Sequence, residues 1–201
     1  MARTQGSRAE ITGPAIRAAA QHLFARHGYA AVSMRQIAAQ VGVQAGTLYS
    51  YTPDKQTLLA GLLRDHMEHL LSSWRDAPEA DALTRLDRFV RFHIAMSLDN
   101  PDAVFLSYME LRNLTSENHA AIAALRRRYE NLLEQILRDG QAAGLMRPGD
   151  TRLGTMALIA MMTGVTHWFR DTGRLDREGL IGHYTDLARG AVGADGDRLS
   201  A

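Results

Sequence analysis

The chain has 201 residues, room for one or two compact units, and with 46% hydrophobic and 22% charged residues it reads as a globular protein with a real core. It holds no cysteine, which excludes disulfide frameworks, thiolate metal centres and cysteine nucleophiles together and favours a reducing compartment. The net charge of +1 hides an asymmetry: six of the 23 basic residues but only two of the 22 acidic ones fall in the first 55 positions, leaving 17 and 20 for the rest. A basic unit joined to a mildly acidic one points to a polyanionic partner, nucleic acid before an anionic membrane surface.

The first residues have no apolar core of signal-peptide type, and no run of about 18 apolar residues follows, so a cytoplasmic protein is expected. Gly13 and Pro14 open the first predicted helix, whose face of Ile16, Ala20, Leu23 and Phe24 ends at Gly28. Ser33 is a good N-cap for a short helix Met34 to Gln40 closed by Gly42, and Gln44 to Tyr51 forms another. Asp54 caps a helix running to Trp74; Asp81 or Ala82 to Leu98, Asp102 to Asn113 and Ser116 to Ala143 follow. A helix from Asp150 or Thr151 to Arg170, apolar nearly all round, precedes a last one from Asp176. No alternating strand pattern intervenes, so the expected fold is all-α with about nine helices.

Two short helices around Gly42 fit a helix-turn-helix, with Ile37, Ala38, Val41, Val43 and Leu48 locking them together. The second helix then keeps Gln44, Ala45, Thr47, Tyr49, Ser50 and Tyr51 outward, side chains suited to base edges, phosphates and a thymine methyl. Tyr49 has a second reading, as packing against the first helix. Lys55, the only lysine of the chain, combines charge with a helix start, a place for a phosphate.

Ala19-Ala20, Leu23-Phe24, Gly28-Tyr29, Ser33-Met-Arg-Gln-Ile37-Ala38, Val41-Gly42-Val43, Gly46-Thr47-Leu48-Tyr49 and Lys55, in that order, resemble the N-terminal domain of the tetracycline-repressor (TetR/AcrR) family of transcription factors. The resemblance implies a dimeric all-α repressor: a three-helix DNA-binding domain whose third helix enters the major groove of a double-stranded operator, then a larger helical domain for an inducer and for dimerisation. Domain limits follow as a basic arm at 1–12, the DNA-binding domain at 13–55, the ligand and dimer domain at 56–193, and a tail at 194–201. The DNA contacts it implies are Ser33, Arg35, Gln44, Ala45, Thr47, Tyr49, Tyr51 and Lys55. Arg3 and Arg8 of the arm either enter a minor groove or belong to a solvated tail. One departure is visible: Thr52 follows Tyr51 where the family usually carries an aromatic ring.

Further on, Leu125-Arg-Arg-Arg-Tyr129, Gly140-Gln-Ala-Ala-Gly144 and Met162 through Trp168-Phe-Arg170 to Leu175 resemble the C-terminal domain of regulators that sense acyl-coenzyme A thioesters. Such an effector needs an apolar slot and cations for its phosphates. Phe105, Tyr108, Met109, Leu132, Met156, Ile159 and Thr163 can line the slot, and Arg112, Arg128 and Arg170 supply cations beside Trp168. The same methionines and aromatics also read as plain core. A helix apolar on every side is best buried by pairing with its copy, so Met161, Val165, Phe169, Leu180, Tyr184 and Leu187 are expected at a homodimer interface.

Enzyme motifs are missing: there is no glycine-rich phosphate loop, no Gly-x-Ser-x-Gly and no His-Glu-x-x-His. His66 and His69 are spaced for a metal but have no further ligand in the sequence, so no metal or cofactor is expected. The alternatives to an acyl-thioester sensor are the same DNA reader with a hydrophobic drug-like or aromatic inducer, and a non-enzymatic helical interaction module. No membrane partner is expected, because the positive charges are scattered rather than arranged on an amphipathic helix.

Overall fold

A computed structural model describes residues 6–194, with side chains from Thr12 onwards. The helices are α1 Gly6–His27, α2 Met34–Val41, α3 Ala45–Tyr51, α4 Lys55–Ser73, α5 Ala82–Asp99, α6 Pro101–Met109, a 3-10 turn Leu111–Asn113, α7 Ser116–Ala142, α8 Thr151–Thr163, α9 Val165–Trp168 and α10 Arg177–Ala191. No strand occurs among the described residues. The chain divides into two compact units, residues 6–68 with 102–125, and residues 69–101 with 126–194.

Helix starts follow local hydrogen bonding. The carboxylates of Asp54, Asp81, Asp150 and Asp176 accept from the backbone N–H three residues on at 2.6–3.0 Å, satisfying donors that have no intrahelical acceptor. At Asp54 and Asp81 these bonds hold the carboxyl below the usual carboxylate range. Two expectations fail. Pro14 lies inside α1 rather than at its first turn, so the helix begins at Gly6 and part of the expected arm is helical; residues 1–5, with Arg3, lie outside the described residues. The Thr151-to-Arg170 run is two helices, because the chain breaks at Gly164.

In the first unit Ile16, Ala20, Phe24, Ile37, Leu48, Leu59, Leu63, Leu106 and Ile122 form one buried cluster, with the Phe24 and Tyr29 rings edge-on at 5.3 Å. In the second, α5 packs against α8, α9 and α10. There Trp74, Phe89 and Tyr129 meet in sequence, Trp74 edge-on to Phe89 at 5.1 Å and Phe89 tilted against Tyr129 at 5.4 Å. Arg85, buried, bridges Asp76 at 2.7 Å and Asp139 at 2.6 Å and keeps both carboxyls below their usual range.

Gly42 ends α2 at φ 74°, and its N–H closes the helix onto the carbonyls of Ala38 and Ala39. A Cβ at Gly42 meets nothing within 4 Å, so Gly42→Ala is expected to cost only the backbone strain, about 1–2 kcal/mol. Gly46, inside α3 and equally open, should gain about 1 kcal/mol as alanine. Thermal unfolding of the two variants should therefore shift in opposite directions.

Candidate nucleic-acid interface and effector region

The α2–α3 pair is built to hold one helix surface outward. Ser33 and Gln36 make a reciprocal capping box at the start of α2. Ile37, Ala38 and Leu48 are buried between the two helices and α1, and Gly42 turns the chain. What remains open on α3 is Thr47, Ser50, Tyr51 and Tyr49, the last 50% exposed. This favours an outward Tyr49 over packing against α1. Gln44 stands at the N-cap without a side-chain cap bond, so its amide is available. Arg35 is exposed, with no partner among the described residues. Ala45 is half-buried, and Tyr51 leans on α1, its ring 3.6 Å from where a Gly13 Cβ would stand.

Two expected contacts are otherwise engaged. The Ser33 hydroxyl donates to Gln36 Oε1 at 2.8 Å and accepts from Gln36 N, so its proton serves the cap. Lys55 is the second. Its ammonium donates to the carbonyls of Tyr29 at 2.8 Å, Val32 at 2.8 Å and Ala30 at 3.4 Å, and lies 4.3 Å from the centre of the Tyr29 ring. In this arrangement the ammonium is engaged by the loop joining α1 to α2.

That loop is held from a second side. Tyr29 N–H donates to Glu110 Oε1 at 3.1 Å, and the other oxygen of Glu110 accepts from Asn113 Nδ2. Gln56 Nε2 donates to the Tyr29 hydroxyl at 3.3 Å and the Asn113 carbonyl at 2.8 Å, while its Oε1 accepts from Thr115 N at 3.1 Å. Nothing local in the sequence marks Glu110 or Gln56 for this role, since their partners lie up to 81 residues away.

Of the expected effector residues in the first unit, Phe105 packs against its core, and Tyr108, Met109 and Arg112 are exposed. In the second unit Ile159 and Thr163 are buried and Leu132 is half-buried. Thr163 belongs to a polar chain that sequence reasoning misses: His93, buried on α5, lies 2.9 Å from the Tyr129 hydroxyl and 3.0 Å from that of Thr163. Arg128 is exposed without a partner among the described residues, and Arg170 donates to the Phe169 carbonyl at 2.7 Å.

Burial separates the remaining expected residues. Val165 and Leu180, at 0% and 1% exposure, and Phe169 are core residues of the subunit and have no face to offer a partner. Met156, expected in the ligand slot, is 54% exposed on α8 beside Leu153, Ala157 and Ala160, a stripe at helical spacing that is open to solvent. Leu187 and Trp168 are likewise exposed, while Met161 and Tyr184 are half-buried; Trp168 stacks on Tyr184 at 6.4 Å, beside a hollow of about 670 Å³.

An exposed short helix, fixed by a capped and glycine-turned partner, is the geometry of a helix-turn-helix DNA reader. Comparison with known proteins agrees. The family profile described as tetracyclin repressor-like, C-terminal domain, matches residues 79–192, and that of bacterial regulatory proteins, tetR family, matches residues 16–62. The chain belongs to the TetR family of transcriptional regulators.

The fatty acid metabolism regulator protein of Bacillus subtilis (strain 168) is 25% identical over 173 residues, covering 84% of this chain and 89% of that protein. The transcriptional repressor KstR2 of Mycobacterium tuberculosis is 25% identical over 180 residues, 87% of this chain and 89% of the other. Among solved structures, a tetR-family regulatory protein from Rhodococcus RHA1 has a TM-score of 0.85 at 29% identity, over 90% of this chain and 96% of that one. AibR, solved in complex with isovaleryl coenzyme A and operator DNA, has a TM-score of 0.76 at 29% identity, over 90% and 96%. Among the described residues no helix is long and apolar enough to cross a membrane.

Proposed function

We propose that the chain is a homodimeric repressor that leaves a palindromic operator when an acyl-coenzyme A thioester binds. The observation that carries this reading is the likeness, over most of both chains, to AibR, whose structure holds isovaleryl coenzyme A and operator DNA. Arg35, Gln44, Thr47, Tyr49 and Tyr51 are its DNA contacts, supported by their exposure on α2 and α3. The exposed apolar stripe of Leu153 and Met156 with Leu187 is the dimer surface, and two copies so joined present their α3 helices to half-sites about one DNA turn, ~34 Å, apart. Arg127 and Arg128, neighbours on α7, exposed and without partners among the described residues, are cations for the phosphates of the thioester.

Release follows if the thioester binds one arrangement of α4 better than the other; a ligand of equal affinity for both shifts nothing. α4 begins in the first unit and ends in the second, and Lys55 and Gln56 at its start hold the loop that precedes the reader. The test is fluorescence anisotropy with an operator selected from genomic fragments, at fixed salt, with a panel of acyl-coenzyme A thioesters. At least one thioester is expected to weaken binding about tenfold or more. Operator binding that ignores every thioester would remove the effector assignment, and absence of any selected palindrome would remove the reader.

A further inference from the structure

Within the first unit a cavity of about 330 Å³ lies among α1, the end of α3, α4 and the first turn of α7, a volume at the lower end of those that hold small organic ligands. Two small side chains leave the room. Gly61 stands mid-helix in α4, where glycine is among the least favourable residues, and a Cβ there would meet the Arg17 guanidinium at 3.4 Å. Thr52, buried and donating to the Asp54 carbonyl, forms part of the wall.

Among the described residues the charges around this space do not balance. Arg17 is paired with Asp65. Among the described residues Arg64 has no partner and no carboxylate lines the cavity. Thr57 and Asn118 contribute uncharged polar groups, while Ile16, Leu58 and the Tyr51 ring supply apolar surface.

We propose that this cavity binds a small organic monoanion with a flat apolar body, its carboxylate on Arg64 and its ring beside Tyr51. One uncompensated cation matches one negative charge, and the apolar share of the lining favours an organic body over an inorganic ion. The occupant touches the last residue of α3, so it lies against the DNA reader itself, among residues distinct from the proposed thioester contacts.

Salicylate is a suitable probe. Calorimetric titration of the full chain should show one site per chain with a dissociation constant at or below ~1 mM. Thr52→Phe, which fills the space, and Arg64→Gln, which removes the charge from an exposed position, should each weaken binding by at least about tenfold. Thermal unfolding of Arg64→Gln should match the unsubstituted chain, so this variant decides the matter even if Thr52→Phe folds poorly. No saturable binding, or binding unchanged by Arg64→Gln, overturns the proposal.

Discussion

Replacing Lys55 by alanine should weaken operator binding by about ten- to a hundredfold while leaving its salt dependence unchanged. The ammonium holds three carbonyls of the α1–α2 loop, at Tyr29, Ala30 and Val32, immediately before the Ser33 cap that starts α2. Losing charge-assisted bonds of this kind costs about 2 kcal/mol, and the cost falls on the segment that positions α2 and, through Ile37 and Leu48, α3. A lysine neutralising a phosphate behaves differently: each lost contact lowers the slope of log affinity against log salt by about 0.9, so a dimer would lose roughly 1.8. Titrations between about 50 and about 200 mM salt separate the two. Lys55→Arg retains the charge but replaces a compact three-proton donor with a planar fork, and should not restore affinity. A slope reduced in Lys55→Ala and retained in Lys55→Arg would return Lys55 to the phosphate backbone.

The parts legible in the sequence are those decided by neighbours along the chain. The Ser33 cap, the left-handed Gly42 and the aspartates three residues ahead of their N–H partners are all local, and they suffice to locate the two short helices of the reader. Pro14 misleads because proline is at home in a first turn, yet here the helix continues upstream to Gly6 despite the lost hydrogen bond and the clash with the carbonyl four residues before. Gly164 gives a faint signal of the break between α8 and α9, masked by the apolar residues on both sides. The clasp of Lys55, Gln56 and Glu110 on Tyr29 is invisible, because its partners are 26, 27 and 81 residues apart and one sequence holds no record of which distant residues meet. Apolar character alone also cannot tell an inward stripe from an outward one. That is why the sequence suggests an interface at Val165 and Leu180 and a slot at Met156, whereas the fold buries the first two and exposes the third.

The same distinction yields the last expected result. Leu180 is 1% exposed and Leu187 55% exposed, though they lie two turns apart on α10. Leu180→Asp puts an unpaired carboxylate into the packed interior of the subunit, a change costing several kcal/mol, and the variant should unfold at ordinary temperature. Leu187→Asp leaves the isolated subunit nearly untouched, since that side chain already faces water. In a twofold dimer the substitution acts twice, burying two carboxylates at a surface meant for leucine, at a cost of about 4 kcal/mol, or roughly a thousandfold in the dimerisation constant. Sedimentation velocity should find a folded monomer with an unfolding temperature close to that of the unsubstituted subunit. Operator affinity should then fall steeply, because two linked readers bind a palindrome far more tightly than one. A Leu187→Asp protein that remains a dimer would move the interface off α10 and onto another face of the subunit, with the Leu153 and Met156 stripe of α8 the next surface to substitute.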